Sequence, residues 1–429
     1  MPRFKSFLGG SYLNPRLLVC AALVGLFLWN ASQFYLPGKG FTYLIEFGQL
    51  EHDRYLPEVR AINHYELEDS HGYDSQWYAQ IAMHPYLRDK ALRPAVDSLP
   101  YRARRILFCW TAWLIAGGDP AGAMEVYAVQ NIACWLILSV LILRWFPLAN
   151  WGNVFRWAGV MFSFGLCISV RGSLVDGPSL LLIAFGVMLL ETGWGWSSAI
   201  LLGISGLGKE TNVLAAAGMT PFPPKNRGEW GDLILRCLIV VLPLFAWLWL
   251  INFWLGKGND IGIRNFGPPF SAFIQKVIDV VTRAVSDTPD QFNKWSMVNL
   301  IALLTQALFF ILVPRRENPW WRIAISYTVL MVFIGDAVWE GYPGAASRVL
   351  LPMMLAFNIL VPRGRKWWIV LILGNLTMLS SPDFLKPPGR ESFTVEGPRD
   401  LRIVPDSGKI VEAIYDTSWY APKTVSHQH

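Results

Sequence analysis

The chain of 429 residues is 53% hydrophobic and 16% charged, and its formal net charge is +6. A soluble globular protein has roughly 45–50% apolar and about 25% charged residues, so this chain has too few charges to cover a water-facing surface. The composition therefore excludes a soluble class and indicates an integral membrane protein. Cations at the ends of apolar runs explain the positive charge as membrane topology, and no nucleic-acid partner is predicted.

Membrane-spanning helices need about 20 mostly apolar residues. Such runs recur along the chain, and the cytoplasmic excess of Lys and Arg orients each of them. The first run follows Arg16, which places the N-terminus in the cytoplasm. With a broken helix at 197–222, we expect an all-α, polytopic domain over 1–381 with about ten transmembrane helices. The other predicted spans are residues 17–36, 122–146, 154–170, 177–191, 233–255, 297–313, 321–338, 347–362 and 367–381.

Two long polar connections are predicted on the outer side. Residues 37–105 form a large first outer loop with juxtamembrane helices, and loops of that length are usually functional. Residues 256–295 form a second outer loop, whose amphipathic stretch at 271–285 suits a helix on the membrane surface. The apolar run at 106–118 is too short to span. A polar C-terminal tail over 382–429 is expected outside the cytoplasm.

The apolar segment 197–222 is interrupted by polar residues at 206–212 and is followed by Lys225. If Lys225 is cytoplasmic, this segment rises into the membrane and returns as two half-helices. A break at membrane depth is tolerated only where it lines protein or a wet cavity. The sequence therefore predicts that the break, which contains Lys209 and Glu210, lines either protein or such a cavity.

Ionisable side chains in or beside a span are costly and by default mark a functional site. The inner halves of the spans contain almost none, which argues against an ion path through the membrane. A site open to the outer face, with lateral access for a lipid-borne substrate, is the better prediction. After orientation, the candidates on the outer half are Asp74, Arg171, Asp176, Lys209, Glu210, Asp336, Glu340 and Arg348.

These residue types suit the transfer of a group from a phosphate to a hydroxyl. A carboxylate takes the proton of an attacking hydroxyl, and Asp74 is the candidate for that role. Lys or Arg stabilises the charge that develops on a phosphate leaving group. Lys209, with Arg348 or Arg171, is the candidate for that second role.

Aromatic and basic side chains accompany Asp74. Tyr73 and Trp77 lie beside it in the motif at 71–82, and aromatic rings suit the apolar faces of sugars. The cluster at 102–105, which includes Arg105, is interpreted either as a binding site for lipid headgroups or a phosphate, or as an interfacial anchor.

Each site residue also has a purely structural interpretation. Asp74 precedes an apolar helical run and suits a helix N-cap. Asp176 stands before a Gly-Pro pair, which is typical of a helix start. Lys209 and Glu210 suit an ion pair that holds a kinked helix, and Arg348 suits a cation that extends to the interface.

No metal site and no redox centre are predicted. His52, His64, His71 and His84 lie near carboxylates in the first outer loop, but their spacing matches no zinc pattern, and we expect them to be solvated. The five Cys residues all lie in apolar segments and are interpreted as small core side chains. No cofactor is indicated, and dependence on a divalent metal stays open.

Five segments of the chain share their order and spacing with one known family. They are GYDSQWYAQIA (72–82), YRARRILFCWTAWLIAGGDP (101–120), VDGPSLLL (175–182), GKETNVL (208–214) and EGYPGAASRVLLPM (340–353). Together they resemble bacterial members of the GT-C superfamily, which are polytopic glycosyltransferases that use polyprenyl-phosphate sugars on the outer face of the membrane. The resemblance spans about residues 60–360.

The resemblance implies that Asp74 acts on the acceptor, as an acidic residue of the first outer loop does in that superfamily. It implies that Asp176, Lys209 and Glu210 line the same cavity and that Arg348 faces the lipid phosphate. The expected activity is mannosyltransferase-like. A hexose or pentose passes, with inversion, from a polyprenyl-phosphate carrier to a hydroxyl of a glycan or lipid acceptor. We expect a multi-pass protein of the bacterial inner membrane that serves cell-envelope polysaccharide assembly.

Two other functional classes are weighed against this one. A lipid-linked sugar flippase, or another transporter, needs polar residues in both halves of the membrane and usually has internal repeats, neither of which we find. A non-catalytic membrane subunit of a polysaccharide assembly complex would use the polar C-terminal tail as its contact surface.

Overall fold

Helices dominate the chain, which confirms the expected all-α class. The computed structural model describes residues 14–219, 224–256, 262–284, 291–341 and 344–387, with short strands at 394–395 and 403–404. Most of the predicted polar tail lies outside the described residues. Every statement below refers to the described part of the chain.

The α-helices, in chain order, are α1 (Pro15–Ser32), α2 (Pro57–Ala61), α3 (Asp74–Met83), α4 (Leu92–Ala95), α5 (Leu99–Arg102), α6 (Leu107–Ile115), α7 (Pro120–Leu141), α8 (Trp151–Met161), α9 (Phe164–Arg171), α10 (Asp176–Glu191), α11 (Gly195–Gly206), α12 (Arg227–Leu255), α13 (Ser271–Ala284), α14 (Gln291–Leu312), α15 (Pro319–Phe333), α16 (Asp336–Trp339), α17 (Ala346–Val349), α18 (Leu351–Leu360), α19 (Trp368–Gly374) and α20 (Ser381–Leu385).

Short 3-10 helices lie between them at Thr42–Ile45, Gln49–Arg54, Ala103–Arg105, Ile142–Arg144, Glu210–Gly218, Ile263–Asn265, Arg365–Trp367 and Leu376–Ser380. The strands are β1 (Phe47–Gly48), β2 (Glu66–Leu67), β3 (Thr394–Val395) and β4 (Ile403–Val404). β1 and β2 form a parallel pair, and β3 and β4 form an antiparallel pair.

Four helices in the described residues are long and apolar enough to cross a membrane: α1, α7 with its extension to Arg144, α12, and α14 from Lys294. The helices α8 and α9 make a fifth candidate, bent by 44° where they meet. The apolar side chains of Leu242, Phe245 and Trp249 on α12 are exposed. Such a surface belongs in lipid, because water would disfavour it. The chain is therefore a membrane protein.

Several predicted spans are shorter or more interrupted than expected. The run at 154–170 bends between α8 and α9, and the run at 347–362 is divided into α17 and α18. A proline in the first turn of α18 favours a new helix start there, because its ring cannot continue the preceding one. Hydropathy records only the apolar run and not these breaks.

The break predicted at 206–212 is present. Helix α11 ends at Gly206, and a 3-10 helix over Glu210–Gly218 then packs against α11 and α15. The hydroxyl of Tyr327 donates to the carbonyl of Thr211 at 3.0 Å. Arg322 donates to the carbonyl of Gly218 at 2.9 Å. Side chains of α15 therefore satisfy backbone groups that an unbroken helix would satisfy itself.

The predicted amphipathic stretch of the second outer loop forms α13. Ile274, Ile278 and Val281 are exposed on one face. Lys276 is buried on another side and donates to the carbonyl of Gly341 at 2.9 Å. The exposed apolar face is typical of a helix on a membrane surface.

The first outer loop packs around its own core, and the expectation of solvated histidines is wrong for His64. Its ring is fully buried, and its Nε2 lies 2.9 Å from Oε1 of Glu66. His52 approaches the same oxygen at 2.7 Å. His71, by contrast, is exposed and lies 2.7 Å from Glu51. Burying the Glu66 carboxylate requires hydrogen-bonding partners, and the histidines provide them.

We expect Gly165→Val to lower the free energy of unfolding by about 1–3 kcal/mol, because it overpacks the contact between α9 and α17. A β-carbon at Gly165 would lie 2.6 Å from the carbonyl oxygen of Ser347. Gly25→Val on α1 is the control, since a β-carbon there meets no atom within 4 Å. Thermal unfolding in detergent measures both. Equal melting temperatures for the two variants would contradict the tight contact.

Candidate functional site

Asp176 links two cations that lie far from it in sequence. Its Oδ1 accepts a hydrogen bond from Nζ of Lys209 at 2.5 Å, and its Oδ2 lies 3.6 Å from Nη1 of Arg348. The Asp176 side chain is only 7% exposed. It begins α10, Lys209 lies in the break after α11, and Arg348 lies in α17. A buried charge needs a partner, so this contact holds three segments together.

Asp74 forms a second ion pair at the start of α3. Its Oδ1 accepts from Nη1 of Arg102 at 2.9 Å, and Arg102 also donates to Oδ2 of Asp97 at 2.7 Å. The Arg102 side chain is 8% exposed, whereas the Asp74 side chain is 37% exposed. The helix N-cap is Tyr73, so the N-cap interpretation of Asp74 is wrong. The Asp74 carboxylate binds one cation and remains accessible.

Electrostatics keeps Asp74 ionised. Burial by itself would raise the pKa of this carboxyl group, but the guanidinium groups of Arg102, Arg348 and Arg105 outweigh burial and lower the pKa below its ordinary value. Asp74 is therefore a carboxylate, and not a carboxylic acid, at neutral pH.

Tyr73 joins the two ion-pair groups. The guanidinium carbon of Arg348 lies 5.6 Å from the centroid of the Tyr73 ring, and Tyr73 directly precedes Asp74. A cation over an aromatic face is attracted by the ring quadrupole. The structure thus brings together Tyr73, Asp74, Asp176, Lys209 and Arg348.

Lys209 and Glu210 do not pair with each other, so that structural interpretation is wrong. Glu210 accepts a hydrogen bond from Nε of Arg105 at 2.8 Å, and Arg105 also donates to the hydroxyl of Tyr78 at 3.0 Å. Consecutive side chains in the break therefore reach different partners. Arg105 therefore joins the ion-paired side chains around Asp74 and Asp176, a cluster called the charged group below, through its contact with Glu210 in the break.

Arg171 and Trp77 have buried packing positions. Arg171 is 1% exposed, donates to Glu46 at 2.9 Å and lies over the ring of Tyr43. Trp77 is 6% exposed and belongs to the core of the first outer loop, with the guanidinium of Arg54 over its ring. A substrate would not reach either side chain without repacking. Neither side chain therefore offers an accessible surface for the substrate contact that was predicted for it.

Sequence reasoning missed the role of Arg102. It is one of several basic residues at 102–105, and nothing in their spacing separates Arg102, which pairs with Asp74 and Asp97, from its neighbours. The useful signal was the cluster itself, because two of its members enter the charged group.

The formal charges divide into two halves. Asp74 and Asp97 share Arg102, which gives two negative charges and one positive charge. Asp176 lies between Lys209 and Arg348, which gives one negative charge and two positive charges. The Arg105–Glu210 pair is neutral. The negative half favours a polar hydrogen-bonding group, and the positive half favours an anion.

The predicted cavity between these groups does not coincide with either of two cavities that lie elsewhere in the described residues. One of those cavities lies around Phe27 and Arg171, and the other lies around Arg156 and Arg363. The charged group is instead continuous through direct contacts. Its accessible parts are the partly exposed side chains of Asp74, Arg105 and Glu210.

One set of side chains has the spacing of metal ligands. Glu58, His84 and Asp89 each offer an atom within 4.8 Å of the others. The ring nitrogens of His84 lie 3.2 Å from Glu58 and 3.8 Å from Asp89. Because each nitrogen faces a different carboxylate, this arrangement is typical of a histidine that bridges two acids. It lies at the far end of α3 from Asp74.

No protein-family model, no curated protein and no solved structure matches the chain. The resemblance of its five segments therefore remains a prediction, and the proposal for its function depends on the residues themselves.

We expect Asp176→Asn to lower the free energy of unfolding by about 3–5 kcal/mol, because it leaves the buried Lys209 and the mostly enclosed Arg348 without the carboxylate that they share. The control is Asp232→Asn. Asp232 is 58% exposed and pairs with Arg236 at 3.6 Å on the surface of α12, where such a pair contributes about 0–1 kcal/mol. Thermal unfolding in detergent compares them. A similar loss in both variants would contradict a special role for Asp176.

Proposed function

We propose that the chain is an inverting membrane glycosyltransferase of the GT-C kind. It transfers a sugar from a polyprenyl-phosphate carrier to an acceptor hydroxyl at the outer face of a bacterial cytoplasmic membrane. The observation that carries the proposal is the position of Asp74. Its carboxylate is ionised and accessible, and it lies beside a buried group with one excess positive charge.

The reaction needs a proton acceptor and a phosphate-binding group side by side. The acceptor oxygen attacks the anomeric carbon, its proton passes to Asp74, and a new C–O bond forms. The bond between the anomeric carbon and the phosphate oxygen breaks, and the carrier phosphate keeps the electron pair. Lys209 and Arg348 stabilise the charge that develops on that phosphate. Attack opposite the leaving group inverts the anomeric centre.

Basic loops at the other end of the helices support the proposed orientation. Helix α18 begins just after Arg348 and ends at Leu360, next to the basic stretch at 363–366. Helix α15 begins just after Arg315 and Arg316. The cytoplasmic excess of Lys and Arg then places Asp74 on the outer side. About ten spans in total, several of them short or broken, belong to this proposal.

We expect Asp74→Asn to reduce transfer by about 10²–10⁴-fold, because the amide cannot take the proton of the acceptor. Folding should survive, since Arg102 keeps Asp97 as a partner. Asp53→Asn is the control, because Asp53 is an exposed carboxylate of the same loop. Purified protein is given defined polyprenyl-phosphate sugars and a membrane-lipid extract, and mass spectrometry follows sugar-bearing product and released carrier.

This transfer assay, together with a transport measurement in vesicles, distinguishes the enzyme from a transporter. Normal transfer by folded Asp74→Asn removes Asp74 from the mechanism. If neither the parent protein nor Asp53→Asn transfers sugar, but vesicles with the parent protein move the intact lipid-linked sugar across the bilayer, the chain is a transporter.

We expect transfer to stay independent of pH through the mildly acidic range, down to about pH 5. A carboxyl group with a lowered pKa remains ionised as the pH falls, and its proton-accepting form is lost only when the pH reaches that lowered pKa. Arg348→Gln removes one of the cations that lower the pKa of Asp74, so the acidic limb of kcat/KM should move to higher pH. An acidic limb that stays in place in this variant would contradict the assignment of Asp74.

A further inference from the structure

A separate cavity lies at the opposite end of the helices from Asp74. Its volume is about 250 Å³, and Arg156, Arg363, Gly364, Trp367 and Trp368 line it. Helix α18 runs from the Arg348 end of the molecule to this cavity, and the bent pair α8 and α9 runs from the cavity to Arg171. The cavity is therefore separate from the site proposed for sugar transfer.

Arg156 is a buried cation without a carboxylate partner. It is 4% exposed, and its Nη1 and Nη2 donate to the carbonyl oxygens of Asn358 at 2.6 Å and Pro362 at 3.2 Å. Among the described residues, no carboxylate lies within ion-pair distance of Arg156. Carbonyls contribute only partial negative charge, so a full positive charge remains beside the cavity.

Arg363 adds a second positive charge to the same cavity. It is exposed, and it lines this cavity together with Arg156. Arg102, Arg171 and Lys209, which are also buried, each have a carboxylate partner instead. Two cations around one cavity with no acid between them favour an anion as the missing partner.

The walls of the cavity are preformed and adjoin an apolar surface. The ring of Trp367 packs on Phe309 with centroids 6.0 Å apart, and the ring of Trp368 packs on Phe155 at 5.7 Å. Ile369 beside them is 70% exposed. Tryptophan at the end of a span is typical of the lipid headgroup level. An anion here would thus have apolar chains as its neighbours.

We propose that this cavity binds the phosphate of an anionic phospholipid headgroup. Arg156 and Arg363 hold the phosphate oxygens, the two tryptophan rings flank the headgroup, and the acyl chains lie along the apolar surface at Ile369. The proposal does not depend on the function assigned to Asp74, and it places the lipid on the opposite face of the membrane.

Native mass spectrometry of the detergent-purified chain tests this site. The protein is titrated with phosphatidylglycerol, with phosphatidylcholine and with inorganic phosphate. We expect retention of phosphatidylglycerol in preference to phosphatidylcholine. Arg363→Gln should weaken that binding by about tenfold, because it removes one charge-assisted hydrogen bond. The variant changes an exposed side chain, so it leaves the buried Arg156 in place.

Arg365→Gln is the matched control, since Arg365 is an exposed cation of the same loop that does not line the cavity. Binding that stays at the parent level in Arg365→Gln supports the site. Equal weakening in both variants would indicate general surface charge and overturn the proposal. Equal retention of the two phospholipids, or binding of inorganic phosphate as tight as that of phosphatidylglycerol, would also overturn it.

Discussion

The contact of Asp176 with Lys209 and Arg348 is the constraint on which the rest of the structure depends. Three segments that are distant in sequence each place one charge in a region from which water is largely excluded. Any one of these charges alone would be costly there. Together they fix the start of α10, the break after α11 and the position of α17 relative to one another.

The segment at 37–105 contacts this group of charges at the ends of the helices. Arg105 ties the loop to the break through Glu210, and Arg102 ties Asp74 to Asp97. The carboxylates of Asp176 and Asp74 differ in how much of each side chain is accessible. Asp176 is enclosed by its cations, whereas Asp74 keeps more than a third of its side chain exposed. This difference makes Asp176 a structural centre and leaves Asp74 as the more accessible of the two carboxylates.

Much of the fold, and part of the site, could be predicted from hydropathy and charge. The broken segment was predicted because a polar stretch interrupts an apolar run. Topology predicted that Asp176, Lys209 and Arg348 lie at the same end of the helices, and only the family resemblance implied that they share one site. The buried positions of Trp77 and His64 were not predicted. Both lie in a loop of short, irregular elements, where no helical or strand period indicates which side chains point inward.

The sequence by itself determined the membrane class, the helical fold, the break near Lys209 and the amphipathic helix α13, because these depend on residues that are close together along the chain. Only the tertiary structure decided which carboxylate each cation meets. It paired Lys209 with Asp176 and not with Glu210, and it placed no acid of the described residues beside Arg156. Pairing depends on distances between segments far apart in sequence, and those distances exist only once the helices have packed.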